Sequence, residues 1–192
     1  MKTRAVIFDL YGVLGLNSWQ QFKTEHFGSK PERWQALRRL GEEVDAGKAS
    51  NQQFVSAVAQ AAEVSEAEVR QKFEETVPNR QLLGWIEDEL RGVYKIGLLS
   101  NASRDVLHTI FTASDRQLFD AAITSFHVGL TKPDPAIYQL ICDELGVEPD
   151  ECIVVDDQSR HLETADKLGM KTILYTTNEQ VESDVERLLK SD

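Results

Sequence analysis

The chain has 192 residues and a formal charge of −11, long enough for one buried core plus a modest insertion and too acidic for nonspecific attraction to nucleic acid or an anionic membrane. Apolar residues make up 41% and charged residues 28%. With no apolar run of membrane-spanning length and no signal-like segment ahead of the first apolar run, a cytoplasmic location is expected.

In chain order, residues 4–15 read RAVIFDLYGVLG. Ala5, Val6, Ile7 and Phe8 form the continuous apolar run of a parallel strand buried on both faces, and the run stops at Asp9. Open parallel sheets bind ligands outside the carboxyl ends of their strands, and Gly12 permits a tight turn beside such a ligand. Taken alone, Asp9 serves equally well as a turn or N-cap aspartate.

Residues 16–91 read as a helical insertion that ends in a helix connecting to the core. Ser50 with Gln53, and Ser65 with Glu68, fit capping boxes. Phe54, Val55, Val58 and Ala62 share one helical face, and Val69, Phe73 and Val77 another, so both helices are expected to bury a stripe. Gly28 with Pro31, Gly47, and Pro78 with Asn79 mark short connections.

From Gly92 onward strands and helices alternate. Strands are expected at 94–99, 121–124, 152–155 and 172–175, and helices at 104–111, 135–145, 159–168 and 179–189. This order predicts an α/β fold, a Rossmann-like doubly wound parallel sheet built from residues 1–15 and 92–192, with residues 16–91 as a small helical cap. Cys142 and Cys152 lack zinc-site or redox-motif spacing and read as buried, reduced thiols.

Four groups then stand at comparable places: Asp9, Ser100 with Asn101, Lys132 before Pro133, and Asp156 with Asp157. Individually they read as a turn, a helix cap, a surface lysine and another turn. Jointly, FDLYGVL, LLSNAS, KPDPAIY and VVDD followed by LGM resemble the haloacid dehalogenase-like hydrolase superfamily over nearly the whole chain. The pattern is similar to the small helical-cap phosphatases, including sugar-phosphate phosphatases and the N-terminal phosphatase domain of epoxide hydrolases.

The resemblance implies a nucleophilic Asp9, with Ser100, Asn101 and Lys132 binding a transferring phosphoryl group. It also implies an Mg²⁺ site made by Asp9, the backbone carbonyl of Tyr11, Asp157, and Asp156 directly or at one remove. The partner it implies is a small phosphorylated metabolite, with no nucleic acid and no membrane; oligomeric state stays open.

Tyr11 departs from the pattern, because family phosphatases commonly place an acid–base aspartate two residues after the nucleophile. An unperturbed phenol titrates near pH 10, roughly, so good leaving groups are expected to be favoured. Tyrosine at this position resembles the L-2-haloacid dehalogenases, whose halide leaves without a proton. Val13 and the paired Asp156 and Asp157 depart from that second pattern. A metal-dependent phosphatase therefore ranks first, a dehalogenase second and a noncatalytic phosphate-binding or interaction protein third. His127 is read as structural, Trp19, Phe22 and Trp34 as core, and Arg33, Arg38 and Arg39 as a solvated face.

Overall fold

The computed structural model describes residues 2–45, 48–102 and 105–191. Gly47, Arg104 and the side chain of Phe73 lie outside the described set. The chain begins with β1 (Ala5–Phe8) and a short β2 (Gly15–Leu16), followed by α1 (Trp19–Phe27), α2 (Pro31–Asp45), α3 (Asn51–Ala62) and α4 (Glu66–Glu74). After β3 (Val77–Pro78) and α5 (Arg80–Trp85), a π-helical turn (Ile86–Leu90) leads to β4 (Lys95–Ser100). Two single-turn helices, α6 (Leu107–Ile110) and α7 (Ala113–Arg116), precede β5 (Ala121–Thr124) and α8 (Ser125–Val128). The chain ends with α9 (Pro135–Leu145), β6 (Cys152–Asp156), α10 (Ser159–Lys167), β7 (Lys171–Leu174) and α11 (Asn178–Lys190).

β1 is the middle strand of a parallel sheet ordered β5-β4-β1-β6-β7. All four of its residues are inaccessible to solvent, which is why its sequence is uniformly apolar rather than alternating. Val6 and Phe8 pack into one cluster with Leu82, Ile86 and Val181, whereas Ala5 and Ile7 pack into another with Ile137, Ile141 and Ala165. Helices therefore cover both faces, and the expected doubly wound sheet is what forms. Cys142 and Cys152 are buried free thiols with sulfurs 3.7 Å apart.

Helices α1 to α4 share a separate apolar cluster centred on Phe22, Phe54, Val55, Val58 and Val69. The Ser50 capping box forms in full, and Ser65 Oγ accepts from Glu68 N at 3.2 Å. Ala62 packs against this cluster, but Val77 does not join it: α4 has ended, and Val77 is 57% exposed on β3. Residues 16–91 are also not wholly helical, because they carry most of an antiparallel ribbon of β2 and β3 in which Gly15 pairs with Pro78 and Leu16 with Val77. Strands of two residues carry too little periodicity to be seen in sequence. The helix expected over 104–111 is observed only as Leu107–Ile110 among the described residues.

Asn79 fastens the two chain crossings together. Its backbone N donates to Leu14 O at 2.8 Å, its Nδ2 to Val13 O at 2.9 Å and to Asn178 Oδ1 at 2.8 Å, while its Oδ1 accepts from Leu82 N at 3.3 Å as the α5 cap. A buried amide satisfied this fully leaves several orphan groups when removed. Asn79→Ala is expected to lower stability by about 2–3 kcal/mol, measured as a reduced urea midpoint at unchanged slope.

Candidate active site

The sheet register makes the centre. Phe8 pairs with Val155, so Asp9 and Asp156 leave neighbouring strands at one level, and Asp9 N still donates to Val155 O at 2.9 Å. Asp9 Oδ1 accepts from Leu10 N at 2.7 Å, which turns the carboxylate back over its own loop. Gly12 follows at φ +87°, and a Cβ there would lie 2.6 Å from Asp157 Oδ2. Only glycine meets both the backbone angle and this close approach.

Lys132 is brought in by Asn101. The Asn101 amide donates to Lys132 O at 2.9 Å and accepts from Lys132 N at 2.7 Å, a two-point clamp joining the loop after β4 to the loop before α9. Lys132 Nζ then lies 2.8 Å from Asp9 Oδ1 and 2.6 Å from Asp156 Oδ2. Asp156 also accepts from Gln158 N at 2.8 Å and lies 3.0 Å from His161 Nδ1. Tyr138 donates to the His161 carbonyl at 2.9 Å, tying α10 to α9 behind the site.

Electrostatics separate the three aspartates. Burial works against ionisation of Asp156, but the Lys132 charge and the His161 hydrogen bond outweigh it and bring its pKa down to about 2. Asp9 moves the other way: burial, then the charges of Asp156 and Asp157, raise it well above its ordinary value against the pull of Lys132. Asp157 is raised by burial and by Asp156. Lys132 loses from burial but is held above the usual lysine range by Asp9 and Asp156. Burial lowers His161, so a neutral ring donates Nδ1–H to the carboxylate, which can only accept.

Three carboxylates thus face one buried ammonium, a deficit of two charges that a divalent cation matches. The chemistry of the donors and one orphan atom test the fit. Ligand atoms of Asp9, Asp156 and His161 lie within 4.8 Å of one another, but Lys132 Nζ and the imidazole N–H already occupy the acceptors on that side. Asp157 Oδ1 is buried without a partner. Hard oxygen on the Asp9 and Asp157 side suits Mg²⁺, and Asp156 serves as the anchor for Lys132 and His161.

Above this floor lies a cleft of about 670 Å³, walled on the sheet side by Asp9, Asn101, Lys132 and Asp157 and on the insertion side by Trp19, Lys23, Trp34 and Arg38. Tyr11 also borders it. Ser100 does not: it is fully buried, and its hydroxyl donates to the Asn101 carbonyl at 3.3 Å. Trp19 and Trp34 both pack on the helical cluster and line the cleft, whereas Phe22 is core. Arg38 borders the cleft, but Arg33 and Arg39 are exposed away from it. His127 also lies outside the cleft wall, its Nδ1 2.8 Å from Thr124 Oγ1. Sequence reasoning passes over His161 and Lys23. Only the position of His161 in the first turn of the helix after Asp156 could signal its contact.

A carboxyl whose pKa is raised by folding binds its proton more tightly in the folded state, so the penalty for burying Asp9 and Asp157 is relieved as pH falls through their raised folded values towards the ordinary 3.8. The contribution of Asp156 is present above its ordinary value of 3.8 and is lost only as pH falls through about 2. In chelator, the Tm of wild type relative to Asp9→Asn is therefore expected to shift in favour of the wild type as pH is lowered from neutrality. Thermal unfolding of both proteins at falling pH checks it; an equal response in both proteins would contradict a raised Asp9 pKa.

A sequence model of the haloacid dehalogenase-like hydrolases matches residues 3–169. Among curated relatives, bifunctional epoxide hydrolase 2 of Sus scrofa is 41% identical over 73 residues, covering 38% of this chain and 13% of that protein. (S)-2-haloacid dehalogenase 4A of Burkholderia cepacia is 38% identical over 82 residues, 42% of this chain and 35% of the relative. Phosphatase MT3486 of Mycobacterium tuberculosis is 33% identical over 111 residues, 55% of this chain and 50% of the relative. The chain spans at most half the length of these relatives. A HAD family enzyme of Bacteroides thetaiotaomicron, solved with magnesium and inorganic phosphate, superposes at TM-score 0.63 with 21% identity over 91% of this chain and 94% of that one, a likeness of fold. No helix among the described residues is long and apolar enough to cross a membrane. With the matched family sequence, the sheet order and the four converging loops in agreement, the chain belongs to the haloacid dehalogenase-like hydrolases.

Proposed function

We propose that this chain is a Mg²⁺-dependent phosphatase of small phosphorylated metabolites, working through an aspartyl-phosphate on Asp9. The single observation that carries the reading is the surplus of two carboxylate charges over Lys132, with Asp157 Oδ1 buried without a partner. In this reading residues 1–15 and 92–192 form the catalytic core, and residues 16–91 cap it and reconnect to it.

Asp9, Asp157 and the Tyr11 carbonyl would hold the metal. When bound, Mg²⁺ offsets the negative charge of the phosphate and of the carboxylates around it. An Asp9 oxygen attacks phosphorus, the new O–P bond forms as the ester P–O bond breaks, and the leaving group departs with the electron pair. Water then attacks the same phosphorus, releasing inorganic phosphate and restoring the Asp9 carboxylate. Lys132 orients Asp9 and neutralises a phosphoryl oxygen, Asn101 and Asp156 fix Lys132, and the Asn101 backbone borders the phosphoryl position. Ser100 would reach a phosphoryl oxygen only by leaving the Asn101 carbonyl.

The second reading, hydrolysis of L-2-haloacids by Asp9, draws on Tyr11 and on the dehalogenase relative. Asp156 and Asp157 argue against it, because with Asp9 they exceed the charge of Lys132 by two, a surplus that repels a haloacid anion and suits a bound cation better. Halide release from a 2-haloacid in chelator is the outcome that would favour it.

Hydrolysis of p-nitrophenyl phosphate is expected to require Mg²⁺ and to fall at least about a thousandfold in Asp9→Asn; equal rates in chelator would overturn the metal-dependent reading. Tyr11 offers no carboxylic acid to the leaving group, so log kcat/KM across phosphate esters is expected to drop steeply as the leaving-group pKa rises. Tyr11→Asp should flatten that dependence by raising alkyl phosphate turnover about 10²-fold or more. A shallow slope in the wild type would show that another residue supplies the proton.

A further inference from the structure

The insertion side of the cleft holds a cation that the proposed chemistry does not use. Lys23, on α1, is half-buried and borders the same cleft as Asp9 and Asp157. Among the described residues no carboxylate stands at ion-pair distance from it; its Nζ lies 5.5 Å from the centroid of the Trp34 ring. The arginines that line the cleft are already engaged. Arg38 lies 3.7 Å from Glu42, Arg160 also pairs with Glu42, and Arg70 bonds Gln52 and Glu66. Burial lowers the pKa of Lys23 and the charge of Asp157 opposes that, so the ammonium is incompletely solvated without a counter-ion of its own.

Beside it stand two indoles. Trp19 meets Trp34 edge-on at 5.8 Å and stacks on Phe22 at 5.4 Å, which locks its ring. Rigid aromatic surface next to a half-buried cation complements a flat group bearing negative charge. Lys132 and the Asp9–Asp157 metal side already account for the phosphoryl end, so this wall faces whatever departs from it.

We propose that Lys23, Trp19 and Trp34 form a leaving-group subsite that selects phosphate esters of planar, acidic hydroxyl compounds carrying a second anionic substituent, with the ring against the indoles and the anion on Lys23 Nζ. The proposal rests on the phosphatase reading and deepens it, because a planar enol or phenol is also the kind of leaving group that departs without the acid Tyr11 does not supply. Lys23 is then a specificity residue that touches the leaving group, not the phosphorus.

The test compares 4-carboxyphenyl phosphate with the near-isosteric 4-carbamoylphenyl phosphate, under Mg²⁺, in wild type, Lys23→Met and Lys23→Arg. The ratio of kcat/KM, carboxylate over carbamoyl, is expected to fall about tenfold from wild type to Lys23→Met at low salt and to be largely restored in Lys23→Arg, the leaving-group difference between the two esters being common to all three proteins. Both esters are read in one protein sample, so a loss of folded enzyme cancels from the ratio. Trp19→Leu is expected to raise KM for both esters alike. A ratio unchanged between wild type and Lys23→Met would overturn the subsite while leaving the phosphatase reading intact. Failure of the wild type to hydrolyse either ester would overturn that reading and the subsite with it.

Discussion

The site depends on one buried ammonium held between two carboxylates. Lys132 Nζ contacts Asp9 and Asp156 where neither side chain is more than a few percent exposed, so in a low-dielectric setting the arrangement stands only if all three stay in register. Each remaining feature of the floor serves that end. Asn101 fixes the Lys132 backbone, Gln158 N and His161 fill the other acceptor positions of Asp156, and Tyr138 steadies the turn that carries His161. One lysine cannot compensate three acids. Asp9 and Asp157 keep raised pKa values as a result; in the proposed phosphatase a bound cation would relieve this penalty, favouring the fold and the ionised form of Asp9 together.

How much of this is legible in the sequence depends on the physical signal each element carries. Parallel strands buried on both faces write themselves as unbroken apolar runs, and 121–124 and 135–145 emerge with the observed bounds because a strand between turns and a Pro-to-Gly helix are marked at both ends. The ribbon at Gly15 and Pro78 is not legible, since its stability comes from Asn79 and from partners more than sixty residues away in the chain. Val77 looks like the third residue of a buried helical stripe and instead faces water, because a helical period continues to be counted after the helix has stopped.

The aspartates and Lys132 are recognisable as an ordered set of loop motifs, whereas their division of labour is not. That Asp156 is saturated and Asp157 is not follows from Gly12, His161 and Gln158, none of which points to it until the loops are folded. Ser100 shows the converse: the residue sits at the expected strand end, with its hydroxyl turned onto the backbone. Lys23 is invisible for another reason. A lysine on an amphipathic helix reads as solvated, and only the packing of Trp19 and Trp34 beside it turns that position into the wall of a cleft.

The ribbon that joins β2 to β3 also bears on chain entropy. Because Asn79 N reaches Leu14 O at 2.8 Å, the helical insertion enters and leaves the sheet-forming chain at nearly one point. The conformational cost of closing a loop grows only logarithmically with its length, each doubling adding about 0.6 kcal/mol. An insertion that begins and ends together, and holds its own apolar cluster, can therefore be lengthened or exchanged without altering the strand register that sets Asp9 beside Asp156. The two parts of the chain answer to separate constraints: the spacing of Asp9, Asp156 and Lys132 is written in the sheet and its loops, and the helical wall of the cleft is free to drift.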